Sequence, residues 1–394
     1  MDEADFGDQL RRLREGRGLS LRQLAALTHL SKSSLGEWEA GPKVPPAKVA
    51  ACLDDVLGGG GILAELQDMA TRPDSQQVLQ HESERLTERL AALRSGDMVP
   101  ALDGSTSRLA VDYLSAPGAS LMDEISDARR DALATMRSRR LRDHHQVRYL
   151  MSDVGYLSGI LAYAALDDGH PRAALAHTDA AWEAADRVDS LQLRAWVRGT
   201  QSLILRFAQR YPEALERAED GLRYATSGTA RARLLAGIGQ CKANMGDAPG
   251  ARRALAEAQT SFDERHGVDE VGGLYTFSRA KLMYYSGSVL IWLEGGADAR
   301  EARAQAHAAI ALWRHAPDRS VADEALAHVY AATGSLQVRD LEEAAADLEP
   351  ILSLPAESRV SWITKRMDRI VDLLTEPPFD SDPLARDLLD RIKA

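Results

Sequence analysis

Cysteine is nearly absent. The 394-residue chain holds two, Cys52 and Cys241. They lie far apart in separate helical patterns, so a disulfide framework is excluded, and both read as small core residues of a reduced, cytoplasmic protein. Aromatic side chains reach only 5 % and β-branched runs are few, whereas Ala, Leu, Arg and Glu abound. That balance points to helix. No apolar run approaches the ~18 residues a membrane span needs, and no basic-plus-apolar signal segment stands at the start. Catalytic patterns are missing as well. There is no GxxxxGK(S/T), GxSxG or HExxH and no strand–helix alternation to carry a dinucleotide, and the glycines at 58–61 lack the residues a phosphate loop requires. His144, His145, His307 and His315 have no third ligand at metal spacing. The chain therefore reads as a non-enzyme with no cofactor and no metal. Positive charge is also short: 48 basic against 59 acidic side chains leave a net charge of −11. The large acidic remainder argues against nonspecific binding of nucleic acid or anionic membrane by most of the chain.

What is present begins with residues 20–41. Ser20 stands where an N-cap belongs, and Leu21, Leu24, Ala25 and Leu27 follow at helical spacing. Thr28, His29 and Leu30 break that helix, and Ser31 caps a second one running to about Ala40. On the second helix Leu35 and Trp38 share one face, while Lys32, Ser33, Ser34 and Glu37 share the other. Gly41 and Pro42 end it. Phe6, Leu10 and Leu13 mark a preceding helix, and Pro45–Pro46 opens a following one through Val49, Ala50, Leu53 and Leu57.

This order of residues, with Arg14, Gly18-Leu19-Ser20, Gln23-Leu24-Ala25, Ser31, Ser34-Leu35 and Trp38-Glu39-Ala40-Gly41, resembles the helix-turn-helix of the phage-repressor-like, xenobiotic-response-element (XRE) family of bacterial regulators. The resemblance spans about residues 5–66. It implies that Lys32, Ser33 and Glu37 face base edges, with Ser34 close by: lysine donates to guanine O6 or N7, serine serves several acceptors, and glutamate accepts from cytosine N4. It places Ser20, the cap amides, Arg22 and Lys43 at phosphates, with Gln23 and Ser31 in the same DNA-facing set. Arg14 and Glu39 match a pair that forms an internal ion pair in such domains. A plain solvated helix face is the other account of Lys32 and Glu37. Residues 1–70 carry eight basic and eleven acidic side chains, so a single copy should bind DNA weakly and a dimer on two half-sites is expected.

Beyond the Gly58–Gly61 break, Ile62, Leu63 and Leu66 form a short apolar stripe, and residues 71–77 read as linker. An amphipathic helix at 78–94 and a second linker at 95–107 follow. From about residue 108 a turn followed by alanine recurs at 169–182, 210–222, 246–258 and 340–352, with a looser copy at 297–310. Ala174, Ala214, Ala251, Ala302 and Ala344 stand 40, 37, 51 and 42 residues apart, as small residues would where paired helices cross closely. The pattern looks like the tetratricopeptide repeat with a longer, irregular period and an insertion at 267–276. The helices at about 358–374 and 382–392 read as caps of the stack.

If the first helix of each pair lines a concave face, Tyr156, Tyr163, Trp196, Arg206, Arg233, Gln240, Asn244, Tyr284, Tyr330 and Thr333 look into it. Amides and arginine there could grip the backbone and carboxylate of an extended peptide. Inter-helix packing is the other account of each. The glycines of these helices, Gly155, Gly239 and Gly287 among them, mark either close helix contact or room for a ligand. The basic run at 137–148 reads as a solvated face, since Asp127, Asp131 and Asp143 lie beside it.

The sum is an all-α, cytoplasmic protein: a five-helix-type helix-turn-helix domain at 1–70, a linker with one amphipathic helix at 71–107, and a tetratricopeptide-like right-handed solenoid at 108–394. It resembles the peptide-sensing transcription regulators of Gram-positive bacteria. The expected partners are a double-stranded, pseudo-palindromic operator, a second copy of the chain, and a peptide or small-molecule effector. The alternative is an adaptor whose solenoid docks a partner protein while the N-terminal module localises it to DNA.

Overall fold

The computed structural model describes residues 6–41, 43–71, 104–115, 119–137, 144–293, 295–314, 316, 319–353 and 361–393. Among them all regular structure is helical. The chain divides into two units, Met1–Val78 and Leu79–Ala394. The helix expected at 78–94 lies outside the described residues.

Among the described residues the first unit has five helices: α1 Phe6–Gly16, α2 Leu21–Thr28, α3 Lys32–Ala40, α4 Ala47–Leu57 and α5 Ile62–Thr71. Each contributes apolar residues to one core, in which Phe6, Leu10, Leu24, Leu35, Leu53 and Leu63 are buried. The α1–α3 crossing is tight: a Cβ on Gly7 would stand 2.6 Å from the Trp38 carbonyl oxygen. Asp54, buried on α4, accepts from the Leu63 amide at 3.0 Å and so ties down the start of α5. Cys52 is exposed, against the sequence expectation of a core thiol, whereas Cys241 is buried. The helical phase of α4 turns Ala50, Leu53 and Leu57 inward, which leaves position 52 facing out.

The second unit opens with α6 Gly104–Ser115 and α7 Ala119–Arg137; α6 begins inside the stretch that composition assigns to linker. Five helical hairpins follow: α8 His144–Asp167 with α9 Pro171–Arg187, α10 Leu191–Phe207 with α11 Tyr211–Leu222, α12 Ala230–Asn244 with α13 Ala248–Asp263, α14 Arg279–Leu290 with α15 Gly296–Trp313, and α16 Val321–Gln337 with α17 Leu341–Leu352. The last helices are α18 Ser361–Thr375 and α19 Pro383–Lys393, where the capping pair is expected; α18 packs on α16, and α19 on α17 and α18.

Four of the hairpin turns repeat one geometry. Gly169, Gln209, Gly246 and Arg339 all take left-handed backbone angles. In each turn the next amide reaches back five residues to a carbonyl: His170 to Ala165, Arg210 to Leu205, Asp247 to Lys242 and Asp340 to Ser335, at 2.8–2.9 Å. These are Schellman closures, which satisfy carbonyls the helix end leaves open. All five repeat alanines are fully buried. Ala174, Ala214, Ala251 and Ala344 each sit fourth in their helix, and Ala302, from the looser copy, sits seventh. The helix glycines answer to close packing: a Cβ on Gly287 would meet the Ala302 carbonyl oxygen at 3.1 Å, and one on Gly334 the Ala299 carbonyl oxygen at 2.7 Å.

One buried histidine makes stability depend on pH. His177 on α9 is fully buried, and its Nδ1 accepts from Arg129 of α7 at 3.3 Å. Burial first, and the Arg129 cation second, hold the imidazole well below its ordinary range. The unfolded chain gains a proton there near pH 6.5, and the folded chain does not. Stability from this group is thus complete above about pH 6.5 and declines as pH falls towards the folded value. His177→Gln should therefore lose urea stability more gently than wild type between about pH 6.5 and 5; parallel midpoint curves would contradict this.

Candidate functional site

The face of α3 is set by how its two ends are held. At its start, the Ser31 hydroxyl accepts from the Ser34 amide at 3.0 Å and shares hydrogen bonds with the Ser33 and Ser34 hydroxyls at 2.9 and 2.8 Å. This serine cluster orients the first turn and was not legible as a unit in the sequence, where Ser31 reads as a cap and a DNA-facing residue but not as a partner of Ser33 and Ser34. At the far end Glu39 is buried against Arg14 of α1 in a two-pronged pair, Nε–Oε1 at 2.6 Å and Nη2–Oε2 at 2.9 Å. Arg14 also donates to the Leu19 carbonyl at 2.8 Å, and Arg11 to the Glu39 carbonyl at 2.7 Å. Hydrogen bonding to Glu39 raises the Arg14 guanidinium above its ordinary pKa despite burial. With Leu35 fully buried between these ends, α3 has one rotational setting. Lys32, Ser33 and Glu37 are then exposed and Ser34 is half-buried.

The turn before α3 passes through His29, a left-handed residue at φ 55°; histidine is among the few types that tolerate this region. Before it, Ser20 and Gln23 form a capping box. The Gln23 amide donates to the Ser20 hydroxyl at 3.3 Å, and the Gln23 Oε1 accepts from the Ser20 amide at 2.9 Å. The Gln23 oxygen is thereby committed to the fold, while its side-chain NH₂ has donors left for a phosphate. Arg22, Gln23 and Lys43 are exposed. Two capped helix starts, with the exposed cations Arg22 and Lys32 beside them, suit an anionic backbone.

The predicted groove residues are distributed differently. Tyr156, Trp196 and Arg206 are buried, as are Arg233, Tyr284, Tyr330 and Thr333. Their partners are largely one another and the chain's own insertion. The segment after α13 ends in a 3₁₀ turn, Gly273–Tyr275, whose Tyr275 ring lies 4.4 Å from Trp196 and 4.7 Å from Tyr156, centroid to centroid. The Tyr275 hydroxyl donates to the Tyr156 carbonyl. That turn packs on α6, and α18 touches α8, so the interior is filled from within the unit. Gln240 bonds Ser288, Asn244 donates to the Gln240 carbonyl one turn back at 2.8 Å, and Thr333 to Val329 at 2.7 Å. None of those three lines the interior cavity.

Three predicted residues do meet at that cavity: Tyr163, Arg233 and Tyr284 line it with Tyr113, Phe207, Phe277, Lys281, Tyr285 and Asp323. Its free space is about 40 Å³, room for about three waters. Arg233 is a hub that donates to the Trp196 carbonyl, the Tyr163 hydroxyl and Thr200 Oγ1, all at 3.0 Å. Lys281 donates to the Thr276 carbonyl at 3.0 Å. Burial raises the Asp323 carboxyl above the usual range, opposed by the Lys281 cation. Arg206, 4 % exposed, lies 5.4 Å from the Tyr285 ring centre, and its Nε and Nη1 have no hydrogen-bond partner among the described residues. Lys281, Tyr285 and Asp323 escaped sequence reading because nothing in one repeat announces what the next repeat will face.

No helix among the described residues is long and apolar enough to cross a membrane. A search of curated proteins returned no match. Residues 5–66 match the helix-turn-helix domain family, and the first unit thus carries a DNA-binding type of module.

Proposed function

We propose that this chain is a sequence-specific, XRE-type transcription regulator that binds a pseudo-palindromic operator as a homodimer. The observation that carries the reading is the setting of α3: locked by Leu35 and the Arg14–Glu39 pair, it leaves Lys32, Ser33 and Glu37 outward at the end of the helix that enters a major groove. The acidic balance of residues 1–70 favours paired half-sites, because one copy gains little from counterion release. The protein works in the cytoplasm and performs no catalysis.

The tetratricopeptide-like second unit is the sensor. Its effector is a small molecule with an anionic group and not an extended peptide. Support comes from the filled interior, which leaves no room for a peptide, and from the small cavity, whose lining includes the cations Arg233 and Lys281, groups that suit a compact anion. Selection from random duplexes at low salt tests the first part: the full chain should enrich two half-sites one or two helical turns apart, and no enrichment over input would retire the reading. Titrating small organic acids against operator affinity tests the second. Lys281→Met, at the cavity wall, should abolish the response and leave effector-free affinity unchanged.

A further inference from the structure

His307 on α15 faces two acids of the next hairpin, Glu343 and Asp347, which stand one turn apart on α17. One donor atom from each of the three lies within 4.8 Å of the others. Asp347 is 6 % exposed. Its Oδ1 meets His307 Nε2 at 2.7 Å, while its Oδ2 is buried with no hydrogen-bond partner among the described residues. A buried carboxylate oxygen without a donor is costly enough to require an explanation. Arg303, the cation one turn before His307, is hydrogen-bonded to Asp340 at 3.0 Å and reaches the cluster only through space. With a neutral imidazole the three groups sum to two negative charges, one of them inside the helix interface.

We propose that His307, Glu343 and Asp347 bind a divalent first-row transition-metal ion, with zinc as the reference. One imidazole nitrogen and two carboxylate oxygens suit such an ion, and a hard cation such as calcium prefers oxygen alone. Ligand bonds of about 2.0–2.2 Å put donor atoms on a tetrahedral zinc about 3.3 Å apart. The His307–Asp347 contact must open slightly from 2.7 Å, and Glu343, exposed and able to swing, closes the third position. The ion takes His307 through Nε2 with the ring proton on Nδ1, so a proton leaves to solvent only where the imidazolium was present, and the ion takes up the orphaned charge of Asp347. Water or the adjoining His328 fills the remaining position. His328 lies within electrostatic reach of both Asp347 and His307, and its Nδ1 is buried without a partner among the described residues. Bound metal then links the outer helices of two successive hairpins and fixes their spacing.

Titration of Co²⁺ and Zn²⁺ into the metal-stripped full chain tests this. Wild type should take up one equivalent, give visible cobalt bands of low-coordinate geometry, and melt at a higher temperature when loaded. Calcium and magnesium should not compete. Glu343→Gln, at an exposed position, and His307→Asn should each weaken binding about tenfold or more and remove the thermal shift. Unsaturable uptake by wild type, equal affinity in both variants, or displacement by calcium would each overturn the site.

Discussion

Alanine at Lys32 is expected to weaken operator binding about 10- to 100-fold, the range set by losing one well-made contact to a base edge at about 1–3 kcal/mol. The side chain is exposed at the first residue of α3, so the folded unit should be unaffected and the whole loss should appear in affinity. Ser33→Ala should add a smaller loss, because its hydroxyl is already held by Ser31 at 2.9 Å. Anisotropy across a salt series separates two origins. A base contact weakens the selected duplex far more than a scrambled one. A phosphate contact weakens both alike and lowers the salt slope by about one. Unchanged affinity in the Lys32→Ala, Ser33→Ala double variant would mean another surface meets DNA.

The second large effect is structural. Glu39→Ala should cost about 3 kcal/mol, the low end for breaking a buried pair, because Arg14 loses its two-pronged partner and keeps only the exposed Glu15 carboxylate at 3.2 Å. Arg14 and Glu39 are 9 % and 6 % exposed, so little solvent reaches either to soften the loss. Against a typical domain stability of about 5–15 kcal/mol, this removes much of what holds α1 to α3. Hydrogen exchange of α1–α3 amides in the full chain should accelerate by orders of magnitude, and DNA binding should fall with it. Replacing both partners, Arg14→Met with Glu39→Leu, should recover most of the protection, as buried pairs exchanged for apolar groups often do. Exchange in Glu39→Ala at the wild-type rate would remove the pair from any structural role.

The helix-turn-helix was legible because its determinants are local. Ser20 and Ser31 cap from within four residues of their targets, and the inward phase of Leu24 and Leu35 follows from helical spacing alone. The helical hairpins were legible for a related reason: the crossing alanines recur along the chain, and all five are buried. Cys52 was misplaced because an apolar-looking helix does not reveal which of two adjacent positions turns inward. The filled interior was illegible because it depends on pairs such as Tyr275 with Tyr156, separated by 119 residues. The insertion at 267–276 registers in sequence only as a break in period. His307 and Asp347, 40 residues apart on different hairpins, hid the candidate metal cluster in the same way.

Genome-wide mapping of the protein in its host, wild type beside the Lys32→Ala, Ser33→Ala variant, tests most directly whether α3 reads DNA. Wild type should occupy discrete promoter sites with dyad symmetry, and the variant should vacate them at equal cellular abundance. Occupancy without a shared sequence, or the same sites held by the variant, would contradict it.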